Sequence, residues 1–525
     1  MKKSFLFVLM FIFLFSLFGE ESEVKPLPAW KAKDYQRVIL NYKLLQPLSL
    51  PPAGSIYLPA EFAPVEGVII QVPTGWGTAN KYYAEMIKAI IDANATPYII
   101  ARSSSDITKI TNNVLKPNGI DENAVEFLTY RYDANWTRDY GPWNIYVDGE
   151  RAIVNNEYYD DRKNDNAING QLAKLWAEEI FSTGLHTEGG NFMTDGLGTC
   201  WASTGVIAEN TKYYGWTKAE IDAVYLDFLN CHNGIHYPEP LPDEGTTHID
   251  MFSKILDQNT IIVSSSTKEL GATDAEIAAL DAAAYFYASV PKPDGGEWKI
   301  VRIPMTFDTQ GFGSKYRVQY THTNSTIVNS HVIVPIYGRG TDEEALEIYR
   351  SLMPRHTVVG VDSNVMITSG GAIHCTTMQL SEKEYSKCGN GVVDEDEECD
   401  TYYTNGVECK DLSGFSSGLL QCNSNCTFDT SLCNKDGSET PDNEQPDEES
   451  NNQETPDNEQ PDKESSDSDT EEQEQSDTEQ PDKEWGDDEQ ADFLTDREER
   501  GGESTFDDDS PISMKKNSGC SALML

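Results

Sequence analysis

Positive charge is scarce in this chain. Its 525 residues carry 40 lysines and arginines against 88 aspartates and glutamates, a formal net charge of -48. A surface of that sign repels phosphate backbones, which excludes nucleic acid as a partner. Histidine is scarcer still, eight in all. Before residue 385 no pair of histidines or cysteines has the C-x-x-C or H-E-x-x-H spacing of a zinc site. No catalytic metal is expected, and no other cofactor. Long apolar runs are also missing. The longest, about 15 residues after Lys2 and Lys3, is short for a bilayer span and gives way to small and acidic residues, the layout of a secretory signal peptide over residues 1–20. A membrane anchor is the alternative. No cysteine closely follows the run, which argues against a lipoprotein signal. The chain is therefore expected to be exported, secreted or held at the cell surface.

Export gives the cysteines meaning. Six of the ten, Cys388, Cys399, Cys409, Cys422, Cys426 and Cys433, crowd into one stretch. An even number at that density predicts a module of three disulfides over residues 386–434, with a connectivity that spacing does not determine. The run CGNGVVDEDEECD resembles small cysteine-rich repeats of exported myxobacterial proteins, which implies a spacer or adhesion module. Cys200 and Cys231 either bridge each other or are both reduced. After the module the composition changes. ETPDNEQPD occurs at 439–447 and again at 454–462, and residues 434–510 hold 32 acidic against 5 basic side chains. That segment cannot bury enough apolar surface to fold, so residues 435–510 read as a disordered acidic linker. The end, SMKKNSGCSALML, with Cys520, suggests a sorting or lipid-attachment tag over 511–525, and with it attachment to the cell envelope.

Between these ends lies one catalytic domain, residues 21–385. Apolar periodicity predicts strands over 65–72, 97–101, 152–155, 260–264, 299–303, 326–335 and 357–361, and helices over 81–93, 167–180, 218–228, 274–287 and 342–353. Alternating strands and helices imply a layered α/β architecture.

The chemistry concentrates in a few polar clusters. Cys375 lies in SGGAIHCTTMQL, with WTRDYGPW (136–143), THIDMF (247–252) and HTNSTIVNS (322–330) far upstream. A thiolate, a titratable histidine and paired carboxylates are what attack on a guanidinium carbon needs: nucleophile, proton carrier, and clamps that hold the planar cation. Cys375, His248, Asp139 and Asp250 are the candidates. If 248–250 form a strand, His248 and Asp250 face one pocket from a single element. Taken singly, each has a plainer reading: Cys375 as a buried apolar residue or half of a disulfide, His248 as a structural histidine, Trp136 and Trp143 as core aromatics, Asp139 as the ion partner of Arg138. His374 reads as structural, because consecutive strand residues face opposite sides. His186 and His322 read as supporting residues at best.

Together, W-T-R-D-Y-G-P, E-G-G-N-x-x-x-D-G, H-x-D-M and G-G-x-x-H-C-x-T-x-Q, in this order from about residue 58 to about residue 379, resemble the agmatine deiminase and bacterial Porphyromonas-type peptidylarginine deiminase family of the pentein superfamily. The resemblance implies a fivefold pseudo-symmetric α/β propeller with its site in a central channel. It implies Cys375 as the nucleophile forming a thiouronium, His248 as general acid and base, and Asp139 and Asp250 as guanidinium clamps. It further implies Trp136 as pocket wall, Asn324 as an arranger of the cysteine loop, and Glu188 within the E-G-G-N segment. In the stretch YYDDRKND, Arg162 matches one of the two arginines with which such enzymes pair a C-terminal arginine's carboxylate, while Asp160 takes the place of the other. Asp160 would repel a carboxylate.

The expected activity is exported deimination of a guanidino group with release of ammonia. The substrate is arginine in a peptide or protein, giving citrulline, or agmatine, giving N-carbamoylputrescine. A non-catalytic surface or adhesion protein that retains the fold is the alternative, and amidino transfer to an acceptor amine is a third.

Overall fold

The expected α/β architecture is present, as five copies of one local pattern. The computed structural model describes residues 48–308, 317–423 and 425–435. The segments expected to be a signal peptide, an acidic linker beyond residue 435 and a C-terminal tag with Cys520 lie outside the described residues.

Each copy is a short turn, two antiparallel strands, a helix, and a third strand parallel to the second. Trp143–Val147, Glu150–Glu157, helix Ile168–Trp176 and Glu179–His186 form one. Met193–Thr194, Cys200–Trp201, helix Lys218–Leu229 and Ile235–His236 form the next. Ser253–Ile255, Thr260–Ser265, helix Asp274–Ser289 and Lys299–Asp308 make the third, and Thr326–Val328, His331–Ile336, helix Asp342–Leu352 and Thr357–Asp362 the fourth. The fifth joins the two ends of the domain, because Thr377–Ser381 pairs with Val65–Gln71, which pairs in turn with Thr96–Ala101 beyond helix Asn80–Asp92.

Local chemistry explains the elements. Strand Val65–Gln71 is buried almost throughout because neighbours and helices cover both its faces. Helix Asn80–Asp92 turns Tyr82, Tyr83, Met86, Ile87 and Ile90 inward. Helices Lys218–Leu229 and Asp274–Ser289 each begin with a capping box, Thr217 with Glu220 and Thr273 with Glu276.

Two sequence expectations are corrected. The predicted strand 326–335 is a hairpin, Thr326–Val328 and His331–Ile336, because Asn329 turns the chain at φ 48°. The predicted helix 167–180 ends at Trp176, where Ala177 adopts a left-handed conformation, and Glu179 opens a strand.

The four described disulfides are Cys200–Cys231 within the domain, and Cys388–Cys426, Cys399–Cys422 and Cys409–Cys433 in the cysteine-rich segment. That segment packs into the domain's own core, where Val392 joins the apolar cluster containing Ala60, Phe62 and Ile255. Among the described residues no helix is long and apolar enough to cross a membrane.

Candidate active site

Each copy of the pattern delivers at least one candidate residue from the turn ahead of its first strand. Asp139 precedes Trp143–Val147, Glu188 precedes Met193–Thr194, Asp250 precedes Ser253–Ile255, Asn324 precedes Thr326–Val328 and Cys375 precedes Thr377–Ser381. Such turns are free of the sheet's pleat and can aim side chains at a common point. They do converge. Asp250 Oδ2 lies 3.7 Å from Cys375 Sγ, Asn324 Nδ2 lies 3.2 Å from the same sulfur, and His248 stands 3.8 Å from both Asp139 and Glu188.

The expectation that 248–250 form a strand fails, although its consequence holds. His248 begins a 3-10 turn over Ile249–Met251. The Glu244 carboxylate builds that turn by accepting the backbone N–H of Thr246 and of His248 at 2.9 and 3.2 Å, while Thr247 takes a left-handed φ of 64°. His248 and Asp250 both face Gly190, where a Cβ would lie 2.5 Å from His248 Nδ1 and 2.9 Å from Asp250 Oδ2. Only glycine allows that approach. Gly371 has the same role at the nucleophile, since a Cβ there would lie 2.7 Å from Cys375 Sγ and 2.9 Å from the Trp136 ring. Trp136 is thus a wall against the sulfur.

His374 departs from the alternation argument, because His374–Thr376 is another 3-10 turn. Its Nδ1 lies 2.7 Å from Asp250 Oδ2 and its Nε2 2.9 Å from Glu61 Oε2. Arg162 stands further out, its guanidinium 5.7 and 5.5 Å from the ring centres of Tyr158 and Tyr159. His186 stacks on Tyr214, and His322 bonds the carbonyl of Pro335.

Both aspartates are buried, and each has one oxygen engaged and one without a hydrogen-bond partner. Tyr158 donates to Asp139 Oδ2 at 3.2 Å and His374 holds Asp250 Oδ2, while both Oδ1 atoms are buried and unbonded. Two such oxygens are a site for a planar cation with several N–H groups.

The electrostatics of the site oppose ionisation of the thiol. Burial, then the charge of Asp250, pushes Cys375 up to about 12, against His248. Burial also raises Asp139 to about 7, against His248, with Glu188 and Asp250 adding to the rise. Burial alone would lower His248, but Asp139 foremost, with Cys375, Glu188 and Asp250, holds it well above its ordinary value. Asp250 is held low despite burial by His374, with His248 and Lys254. A bound cation between the aspartates would cancel the carboxylate charge that keeps the proton on sulfur.

Sequence reasoning missed Tyr158, Glu244, Glu61 and Lys254. Tyr158 begins the stretch read for Arg162; the others carry no motif signal. Cys375 is unpaired while the other eight described cysteines are bridged. Among the described residues one group of possible metal ligands occurs, Cys388, Glu397 and Cys426, and its two sulfurs form one disulfide.

A buried thiol, a histidine and two half-satisfied aspartates define a cysteine-dependent site for a planar cation. Residues 57–381 match the family model described as Porphyromonas-type peptidyl-arginine deiminase, and the chain belongs to that family. It is accordingly an enzyme of the agmatine and peptidylarginine deiminase class, which hydrolyses C–N bonds of amidines. A Marinomonas sp. (strain MWYL1) protein provisionally named an agmatine deiminase is 24% identical over 366 residues, covering 63% of this chain and 96% of its own. The solved agmatine deiminase of Enterococcus faecalis superposes with a TM-score of 0.56 at 20% identity over 62% of this chain and 96% of its own. That of C. jejuni, in a cysteine-to-serine variant with substrate bound, superposes with 0.54 at 19% identity over 63% and 98%.

Proposed function

We propose that this protein is an exported deiminase that converts arginine side chains of peptides or proteins to citrulline. The observation that carries the guanidino chemistry is the pair of buried, unbonded Oδ1 atoms of Asp139 and Asp250 beside Cys375. In this reading the two carboxylates clamp the guanidinium, whose charge allows Cys375 to ionise, the thiol proton passing to solvent as the cation binds. The thiolate attacks the guanidinium carbon, and that C–N bond breaks as His248 gives its proton to departing ammonia. A thiouronium on Cys375 remains. Water, losing a proton to His248, attacks the same carbon; the C–S bond then breaks as the new hydroxyl's proton passes to sulfur, which restores the thiol and releases the ureido product. The net reaction consumes one water and releases one ammonia and one proton.

Trp136 walls the carbon, Asn324 steadies the sulfur, Glu188 supports His248, and Arg162 meets the substrate beyond its guanidinium. Substrate choice rests on the signal peptide and on four described disulfides, which suit an oxidising exterior where protein is the accessible arginine source. The five repeated units are read as five blades about a central channel.

Agmatine is the second reading. Glu157, raised by burial and by the charge of Asp160, stands in the segment with Arg162, and acidic groups there suit an amine.

The test is to incubate the purified chain with agmatine, free arginine, and peptides bearing internal or C-terminal arginine, and to measure ammonia and ureido product. Peptide turnover supports the proposal. Turnover of agmatine alone selects the second reading, and silence on all favours a surface protein that keeps the fold.

A further inference from the structure

We propose that Glu61 and His374 position Asp250, and that the cysteine-rich segment is the seat that holds Glu61 in place. The proposal deepens the reading above, since it takes Asp250 as a guanidinium clamp.

His374 Nδ1 lies 2.7 Å from Asp250 Oδ2, and Nε2 lies 2.9 Å from Glu61 Oε2. Each ring nitrogen of His374 thus meets one carboxylate oxygen. Glu61 also accepts from Lys254 Nζ at 2.7 Å and from the backbone N–H of Ile327 at 3.2 Å. Lys254, Glu61, His374 and Asp250 thus form one continuous chain of contacts, almost wholly removed from water. The chain ends beside Cys375. Glu61 touches Asp250 only through His374, so it is a positioning residue. Its effect is to hold Asp250 Oδ2 and leave Oδ1 for the substrate.

The cysteine-rich segment holds the chain beside both members of the Glu61–Lys254 pair. Tyr403 meets Phe62 edge to face at 5.3 Å, and its hydroxyl donates to the carbonyl of Leu256, two residues from Lys254. Gly391 lies so close to Ala63 that a Cβ there would come within 2.8 Å of its Cα, and Tyr57 donates to the carbonyl of Asn390 at 3.4 Å. The Asp400 carboxylate gathers this loop by accepting the N–H of Gly389, Asn390 and Gly391, and the bridges Cys388–Cys426 and Cys399–Cys422 tie it down. A spacer has no need to pack beside the supports of Asp250.

Asp250 faces His374, His248, Lys254, Cys375, Asp139 and Arg138. Removing the Glu61 charge loosens the hold on His374 at Nε2. Asp250 then loses part of what keeps it ionised, so the acid limb of kcat/KM moves to higher pH.

The test uses the full chain and whichever guanidino substrate the wild type turns over, with alkylation of Cys375 by chloroacetamidine as a second readout should none be found. Glu61→Gln is expected to lower kcat/KM, or the alkylation rate, at least tenfold with the acid limb raised, and Glu61→Asp to restore part of both. Cys388→Ser/Cys426→Ser should shift both in the same direction, and Cys409→Ser/Cys433→Ser, at the far end of the segment, should leave them within twofold. Tyr403→Phe, which keeps the ring and removes the bond to Leu256, replaces the first double variant if that fails to fold, and is expected to lower kcat/KM at least twofold. An unchanged rate and limb in Glu61→Gln overturns the positioning role. Equal behaviour of the two disulfide variants, or no change in Tyr403→Phe where it stands in, overturns the role of the segment.

Discussion

Asn324 holds Cys375 at two points at once: its side-chain nitrogen lies 3.2 Å from Sγ, and its oxygen accepts the backbone N–H of Ala372 and of Cys375 at 3.0 and 3.4 Å. One amide therefore fixes the loop and faces the nucleophile. Asn324→Asp keeps both acceptor bonds, removes the donor and sets a negative charge beside the sulfur. We expect kcat to fall by about 10²-fold or more, with little change in melting temperature. Ammonia assays and thermal melts check it, and wild-type kcat would remove Asn324 from the site.

The thiol is held protonated in the free enzyme by burial and by Asp250, up to about 12. A neutral alkylating agent should then modify Cys375 slowly near neutral pH, while an amidinium-bearing agent of similar reactivity supplies the cation that offsets the carboxylates. The cationic reagent is expected to react roughly 10²-fold faster, and Asp250→Asn should abolish most of that preference. Equal rates would show that the aspartates do not govern the thiol. Cys375→Ala should release no ammonia from any substrate.

The sequence made the site legible as chemistry and left its supports hidden. Cys375, His248, Asp139 and Asp250 could be paired from residue type and order, because each lies in a polar cluster just ahead of an apolar strand. Their local geometry was misjudged at 248–250 and at 374, where 3-10 turns replace a strand's alternation. Glu61 and Lys254 could not be found at all. Each is one charged residue in an ordinary context, 193 positions apart, and only the closing of the sheets brings them to 2.7 Å. Five helices were visible because a 3.6-residue apolar period is a strong local signal, whereas two-residue strands such as Cys200–Trp201 offer no period to read.

Gly190 faces His248 and Asp250 with no room for a side chain. Gly190→Ala forces one of them to move by more than half an ångström, which geometry-sensitive proton transfer does not tolerate. At least a 10²-fold loss of kcat/KM is expected, with the fold intact by circular dichroism. Retained activity would mean that His248 does not carry the proton.

Asp139 gives a test that needs no substrate. Its acid is raised by burial from 3.8 to about 7, with the ionised form stabilised only in part by His248 and by the Tyr158 hydroxyl. The folded state thus binds this proton more tightly than the unfolded chain. The resulting stability is fully present below about pH 4 and is lost as pH rises through about 7. Asparagine is neutral throughout, so Asp139→Asn should match the wild type near pH 4 and exceed it above pH 7, by roughly 1–3 kcal/mol at pH 8 once the lost contact with His248 is allowed for. Tyr158→Phe should act in the opposite sense on function: with the hydroxyl gone the ionised Asp139 is less favoured, and the acid limb of kcat/KM moves up by as much as about one pH unit. Thermal melts from pH 4 to 8 and pH–rate profiles read the two effects. A stability difference that does not grow with pH would show that Asp139 is already ionised in the free enzyme, and the clamp would then be formed before the guanidinium arrives.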